Sequence, residues 1–257
     1  MLLYIIYIEP LLLALAKSVS GFSLEAPLRV GPKNIDFEGA REVLESFVDD
    51  IELVLTNDVE FTVVDNILSE FEVISGAIVN RSMKTKVMGL GGWSGRKTWP
   101  LKWLKSVDEL EIFGIRMSPS FHTILDLNWE HQLGKFRSTL FSWSTRSLNT
   151  FYERASVLTT LGLYRLWYRA SILPLPNTWA NLFEAEIRRF LWRNQPLKNV
   201  LSLETACLPI CQGGLGLPYL RAKCDALHLK QGLRIVSTSR VIRDHLGFWF
   251  GGWAFPF

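Results

Sequence analysis

Cysteine is scarce in this chain. Three occur in 257 residues, an odd number without framework spacing, which excludes a small secreted scaffold stapled by disulfides and suits a reducing compartment. Long apolar runs are lacking too. Residues 1–16, MLLYIIYIEPLLLALA, open the chain with no Lys or Arg ahead of the apolar run. Glu9-Pro10 interrupts it, and it falls short of the ~20 residues of a membrane span. This stretch reads as a buried helix, with a secreted or membrane-anchored protein led by residues 1–16 as the lesser alternative. Charged residues make up only 21% against 48% hydrophobic, which excludes a disordered chain. What the chain has in quantity is aromatic: 12% of residues, ten of them Trp. Its length suffices for one large domain or two to three small ones, with ample material for a core.

A formal net charge of +3 hides an asymmetry. Residues 1–80 carry 4 Lys+Arg against 14 Asp+Glu, and residues 81–257 carry 24 against 11. An acidic part suited to cations joined to a basic part suited to phosphates points to a nucleic-acid partner. Two solvated surfaces of unlike sign would give the same count.

Within the acidic part, residues 42–55 read EVLESFVDDIELVL. Two β-prone apolar runs, 43–48 and 51–55, flank Asp49 and Asp50, and the spacing predicts a tight hairpin with the aspartates at its tip. Adjacent carboxylates repel each other unless a cation sits beside them. Mg2+ suits them, because it takes carboxylate oxygens while keeping waters and substrate phosphates. A plain acidic turn has the same sequence. Thr56 or Asn57 then caps a helix carrying Val59, Val63, Ile67, Leu68 and Phe71, with Asp58 and Glu60 in its first turn.

Farther on stands SGAIVNRSMKTKVMGLGGW, residues 75–93, with Lys84-Thr85 and the rival Lys86. GGWSGRKTWPLKWLK, 91–105, interleaves Arg and Lys with Trp93, Trp99 and Trp103, as a base-stacking surface would and as a loop pinned by its tryptophans would. VDELEIFGIRM, 107–117, predicts a hairpin strand with Phe113-Gly114 at its centre. From Ile124 the period turns helical, with Leu125, Trp129, Leu133, Phe136, Leu140 and Trp143 forming a core stripe. A second helix is expected over 147–171, with Arg154, Arg165 and Arg169 on one face. A third starts at an Asn177 or Thr178 cap, with Arg188, Arg189 and Arg193 near its end. Together the three form a bundle. Cys207-x3-Cys211 and Cys224-x3-His228 have zinc-ligand spacing. Leu208-Pro209-Ile210 is apolar, however, and 224–228 fits a helix where cysteine packs as a small hydrophobe.

In order and spacing, these motifs resemble the reverse transcriptases of non-LTR (LINE-type) retrotransposons. FVDD is similar to the aromatic-x-Asp-Asp box, SGAIVN with Lys84-Thr85 to the motif after it, and Phe113-Gly114 to the primer-grip strand. WSTRSLNTFYERASVL, WYRASILPLP, FLWRN and GGLGLPYL resemble segments beyond the polymerase core.

The resemblance implies an α+β fold. A partial palm, a small antiparallel sheet with helices, spans 1–120, a helical thumb 121–200 and a truncated C-terminal connection region 201–257. It implies Mg2+-dependent addition of dNTPs to a DNA primer on an RNA template, in the nucleus or cytoplasm and without a membrane partner. Asp49 and Asp50 would hold the metal and Lys84 would serve as general acid. Phe113, Gly114, Arg154, Arg165 and Arg169 would contact nucleic acid. A third metal-binding aspartate, the fingers, the endonuclease and the zinc knuckle of that family have no counterpart here. The expectation is therefore a C-terminal fragment with little or no unaided polymerisation. A non-catalytic nucleic-acid-binding remnant is the alternative.

Overall fold

The computed structural model describes residues 2–23, 41, 42, 44–47, 50–81, 85–146, 148–193 and 202–238. For 2–7, 22, 23, 41, 42, 44–47, 50, 235, 236 and 238 it describes the backbone alone. Helices and small two-stranded sheets mix throughout, as in an α+β chain. Two compact units divide between Leu110 and Glu111.

The first unit opens with helix α1 (Leu2–Ser18), which runs through Pro10. Leu11, Leu15 and Val19 are buried with Val64, so one face of the second half of this opening is core. No described helix is long and apolar enough to cross a membrane. Strands β1 (Phe22–Ser23) and β2 (Arg41–Glu42) pair antiparallel, as do β3 (Leu44–Phe47) and β4 (Asp50–Leu53). Ile51 and Leu53 of β4 pack on the buried residues of α1 and of helix α2 (Asp58–Ser75).

Helix α2 starts where its capping chemistry directs. Asn57 accepts a hydrogen bond from the Glu60 backbone N–H, and Gly76 ends the helix at φ 70° with its N–H on the Glu72 carbonyl. The buried stripe is turned relative to the sequence expectation. Phe61 and Val64 are inside while Val59 is exposed, because Glu60 faces inward to accept from Ser20 N at 2.9 Å and Thr56 N at 2.8 Å. The segment after α2 folds back on it: Val79 N–H and the Arg81 guanidinium both donate to Glu72.

Beyond it, β5 (Lys86–Val87) pairs parallel with β6 (Lys105–Ser106). The basic-aromatic stretch between them is pinned. Phe61, Trp93 and Trp99 form a ring cluster, and Arg96 lies over both tryptophans while its guanidinium holds the Asp58 carboxylate in a two-pronged contact at 2.7 and 2.9 Å. Of the two readings open from sequence, the structure has the loop anchored by its tryptophans.

The second unit is a helical core entered through a hairpin, β7 (Leu110–Ile112) and β8 (Ile115–Met117). Helix α3 (Phe121–Ser144) buries Ile124, Trp129, Leu133, Phe136 and Leu140, the expected stripe. The next helix begins at Phe151 rather than near 147, because Thr150 and Glu153 form a reciprocal capping box. It is interrupted as well. α4 (Phe151–Val157) widens into a π-helical turn over Leu158–Leu163 before α5 (Tyr164–Ile172) resumes. Helix α6 (Asn177–Leu191) has Pro176 at its cap, so Asn177 is its first residue instead and its side chain accepts from Arg221.

Trp129 and Phe136 both meet Phe183 of α6 edge-on, at 6.1 and 5.5 Å between ring centres. Residues 203–224 share this core. Leu203 and Ala206 of α7 (Leu203–Cys207), Leu217, and Leu220 and Cys224 of α8 (Leu220–Thr238) belong to the same buried cluster. Apolar α7 and α8 faces would otherwise lie in water, so the bundle extends past the expected boundary at 200.

Candidate nucleic-acid interface

The aspartate hairpin exists, but its register differs from the one expected. Phe47 pairs with Asp50 and Leu44 with Leu53, so Asp50 is the first residue of β4 and not part of a two-residue tip. Asp49 lies outside the described residues, the backbone alone is described at Asp50, and Lys84 falls among the undescribed residues 82–84. Lys86 is exposed in β5.

The second expected site is built in detail. Phe113 and Gly114 link β7 to β8 at φ 47° and 77°, both positive, the signature of a type I′ turn whose twist matches that of the strands. The residues therefore sit at the hairpin tip and not within a strand. Helix α5 clamps this tip. The Tyr168 hydroxyl donates to the Phe113 carbonyl at 2.6 Å, and Arg169 Nη2 donates to the Gly114 carbonyl at 2.9 Å. Arg169 Nη1 also donates to Gln132 Oε1 at 2.8 Å, and Gln132 Nε2 donates to the Arg165 carbonyl at 3.0 Å. Below the tip, Asn128 accepts from Arg116 N–H and donates to the carbonyls of Arg116 and Ile124. Burial pushes the Arg169 pKa down, partly offset by Glu111 and Tyr168. Nearby His131 is pushed down by burial and then by Lys135, Arg116 and Arg169. The clamped turn leaves Phe113 38% exposed.

No family profile matches the chain, and no curated protein matches it either.

The arginines on α4 and α5 do not act as one face. Arg169 belongs to the turn. Arg154 is buried, its guanidinium donating to the carbonyls of Leu148 and Leu191, and so caps the end of α6. Arg165 is exposed, with Nη1 3.4 Å from Thr139 Oγ1. The π-helical turn, wider than a regular α-helical turn, shifts Arg154 out of line with the two arginines of α5.

Arg154 instead floors a cleft of about 620 Å3, whose walls carry Arg137, Arg146, Arg189 and Arg193 around a single acid, Glu186. Glu186 accepts from Arg137 Nε at 2.8 Å and from Arg189 Nη1 at 2.9 and 3.0 Å, which fixes two guanidinium forks side by side. Sequence reasoning found Arg189 and Arg193 but missed Arg137, Arg146 and Glu186. It also missed the clamp residues Tyr168, Gln132 and Asn128. Ile124, Asn128, Gln132 and Phe136 succeed one another at four-residue steps, and amides in a buried stripe signal a hydrogen-bonding duty.

The four candidate zinc ligands stay apart in character. Cys224 is buried in α8, where burial pushes its thiol up to about 12. Cys207 is half-buried and Cys211 exposed. Among the described residues, no three His, Cys, Asp or Glu side chains stand close enough to hold a metal.

Proposed function

We propose that this chain is the late palm and thumb of a non-LTR retrotransposon reverse transcriptase, whose parent reaction is Mg2+-dependent addition of dNTPs to a DNA primer on an RNA template. The observation that carries the reading is the Phe113-Gly114 turn. A two-residue tip clamped to a basic helix is what a primer grip requires, since the primer backbone must be approached closely by a rigid turn of the protein. The β3–β4 hairpin around the aspartate pair supports it, as does the order of the sequence motifs. In this reading Asp49 and Asp50 would hold Mg2+, which when bound would supply charge stabilisation to the transferred phosphoryl group, and Lys84 would give a proton to the leaving pyrophosphate. Phe113 and Gly114 face the primer, and Arg165 with the basic bundle attracts the phosphate backbone. The work is done on nucleic acid in the nucleus or cytoplasm.

A second reading, a nucleic-acid-binding protein without catalysis, is favoured by the arginine cleft, whose charge calls for a polyanion and needs no metal. One experiment separates them: incubation of the full chain with a primed RNA, labelled dNTPs and Mg2+, together with direct measurement of RNA–DNA hybrid binding. Incorporation that Asp49→Asn abolishes supports the polymerase. Hybrid binding without incorporation fits the second reading and equally a palm that lacks its third aspartate, and Mg2+-dependent dNTP binding that Asp49→Asn removes then favours the palm. Incorporation that survives Asp49→Asn removes the aspartate assignment, and the absence of both binding and incorporation removes both readings.

A further inference from the structure

We infer that the arginine cleft of the second unit, between the end of α3, the loop after it and the C-terminal end of α6, is a binding site for an unpaired nucleotide of a single-stranded nucleic acid. Its ligand class rests on the nucleic-acid reading above but not on the polymerase chemistry.

Size comes first. A cleft of about 620 Å3 lies within the roughly 300–1,000 Å3 of sites that swallow small ligands. A duplex is a convex rod that lays only its backbone against such a mouth. An unpaired nucleotide can enter with base, sugar and phosphate. Charge comes second, with five arginines against one acid, and the acid is already consumed in holding Arg137 and Arg189. Those two side chains remain 51% and 58% exposed, and the fork of each has N–H groups left over for phosphate oxygens. Arg146 lies over the Trp143 ring at 4.2 Å, presented by the aromatic face. Arg193 presses positive charge against Arg154. Like charges gathered this way in the free protein are relieved by an anion.

Two further observations point to a built site. Arg193 sits at φ 50°, a conformation that a long side chain adopts at a cost, and a hydrogen bond from its guanidinium to the Leu148 carbonyl keeps it there. Phe141, 73% exposed, lines the same cleft. A lone exposed phenylalanine needs no explanation. One set among arginines in a concave wall supplies the flat apolar face on which a base stacks, while the arginines take the phosphates.

The test uses the full chain and fluorescence anisotropy with labelled single-stranded RNA and DNA of about a dozen nucleotides, a length within the known span of such sites, and duplexes of the same length. Single strands should bind more tightly than duplexes. Phe141→Ala should weaken single-strand binding by about 5- to 100-fold, the range of a lost base stack, and leave duplex binding unchanged. Arg146→Ala and Arg189→Ala should each lower affinity and reduce the slope of log K against log salt by about 0.7. Thr123→Ala, at an exposed uncharged position in the first turn of α3, is the control without effect. These side chains are exposed, so the variants should keep the parent's thermal transition, and Phe141→Leu, which preserves apolar volume without a ring face, guards against a folding artefact. Either sugar supports the site, and the ratio of the RNA and DNA affinities identifies the ligand. Duplex binding as tight as single-strand binding, with Phe141→Ala silent, would overturn the cleft while sparing the nucleic-acid reading. No binding to any of the four probes would overturn both.

Discussion

Gly114 and Phe113 carry different burdens at the same turn. At φ 77° a glycine is unstrained, and an added Cβ at Gly114 would meet nothing within 4 Å. The cost of Gly114→Ala is therefore purely conformational, and a loss of about 1 kcal/mol in denaturant titration is expected. Phe113, at φ 47°, is the strained member. Asparagine tolerates that conformation far better, so Phe113→Asn should stabilise the fold by a few tenths of a kcal/mol. In a hybrid-binding assay the same change should weaken affinity, since the exposed ring is gone. A variant both more stable and better at binding would remove Phe113 from the interface.

Glu60 sets a pH dependence at the same scale. Burial pushes its carboxyl up, but hydrogen bonds from Ser20, Thr56 and Asn57 outweigh burial, leaving it below the ordinary value of 4.5. A carboxyl depressed in the folded state contributes stability that is present above pH 4.5 and is lost as pH falls through its folded value. Between neutral pH and pH 4.5, parent and Glu60→Gln should hold a constant difference in urea midpoint. Below pH 4.5 the parent should fall toward the variant, and parallel curves throughout would show that the carboxylate is not the stabilising form.

At the scale of elements, the decisive feature is the π-helical turn at Leu158–Leu163. Phe136 is 1% exposed and lies against Gly162, where a Cβ would come within 2.8 Å of the ring. The wide turn and the missing side chain together admit that ring. Gly162→Ala should cost about 1–3 kcal/mol through overpacking. Gly134 is the internal control: it lies on the exposed side of α3, and an added methyl there would meet nothing within 4 Å. Gly134→Ala should raise stability by about 0.5–1 kcal/mol through helix propensity alone. Thermal transitions of the two variants moving in opposite directions check this. The π turn also explains why Arg154 parts from Arg165 and Arg169, since a face counted at 3.6 residues per turn does not survive an inserted residue.

For the whole molecule, charge division governs what metal removal does. The acidic residues concentrate in 1–80 and the basic ones in 81–257, so metal holding and phosphate attraction fall on different parts of the chain. Chelation with EDTA should abolish any dNTP incorporation while leaving retention of nucleic acid at constant ionic strength unchanged. Retention should weaken with rising salt, because each neutralised phosphate releases condensed counterions. Binding that disappears with the metal would place the affinity on the aspartates instead of the arginines.

Much of this protein could be read without coordinates wherever a local rule carried the information. The α3 stripe, the Asn57 cap, the helical opening and the Phe113-Gly114 hairpin stem from periodicity and from short-range hydrogen bonding, which depend on neighbours in the chain. The register that puts Asp50 in β4, the inward turn of Glu60, the capping box that delays α4 and the π turn depended on partners brought in by folding. The arginine cleft is the clearest case. Arg137, Arg146, Glu186, Arg189 and Arg193 lie up to 56 positions apart in the sequence, and no spacing rule relates them. Only packing of α3 against α6 brings their charges together, because Coulombic attraction and repulsion act through distance in space, not along the chain.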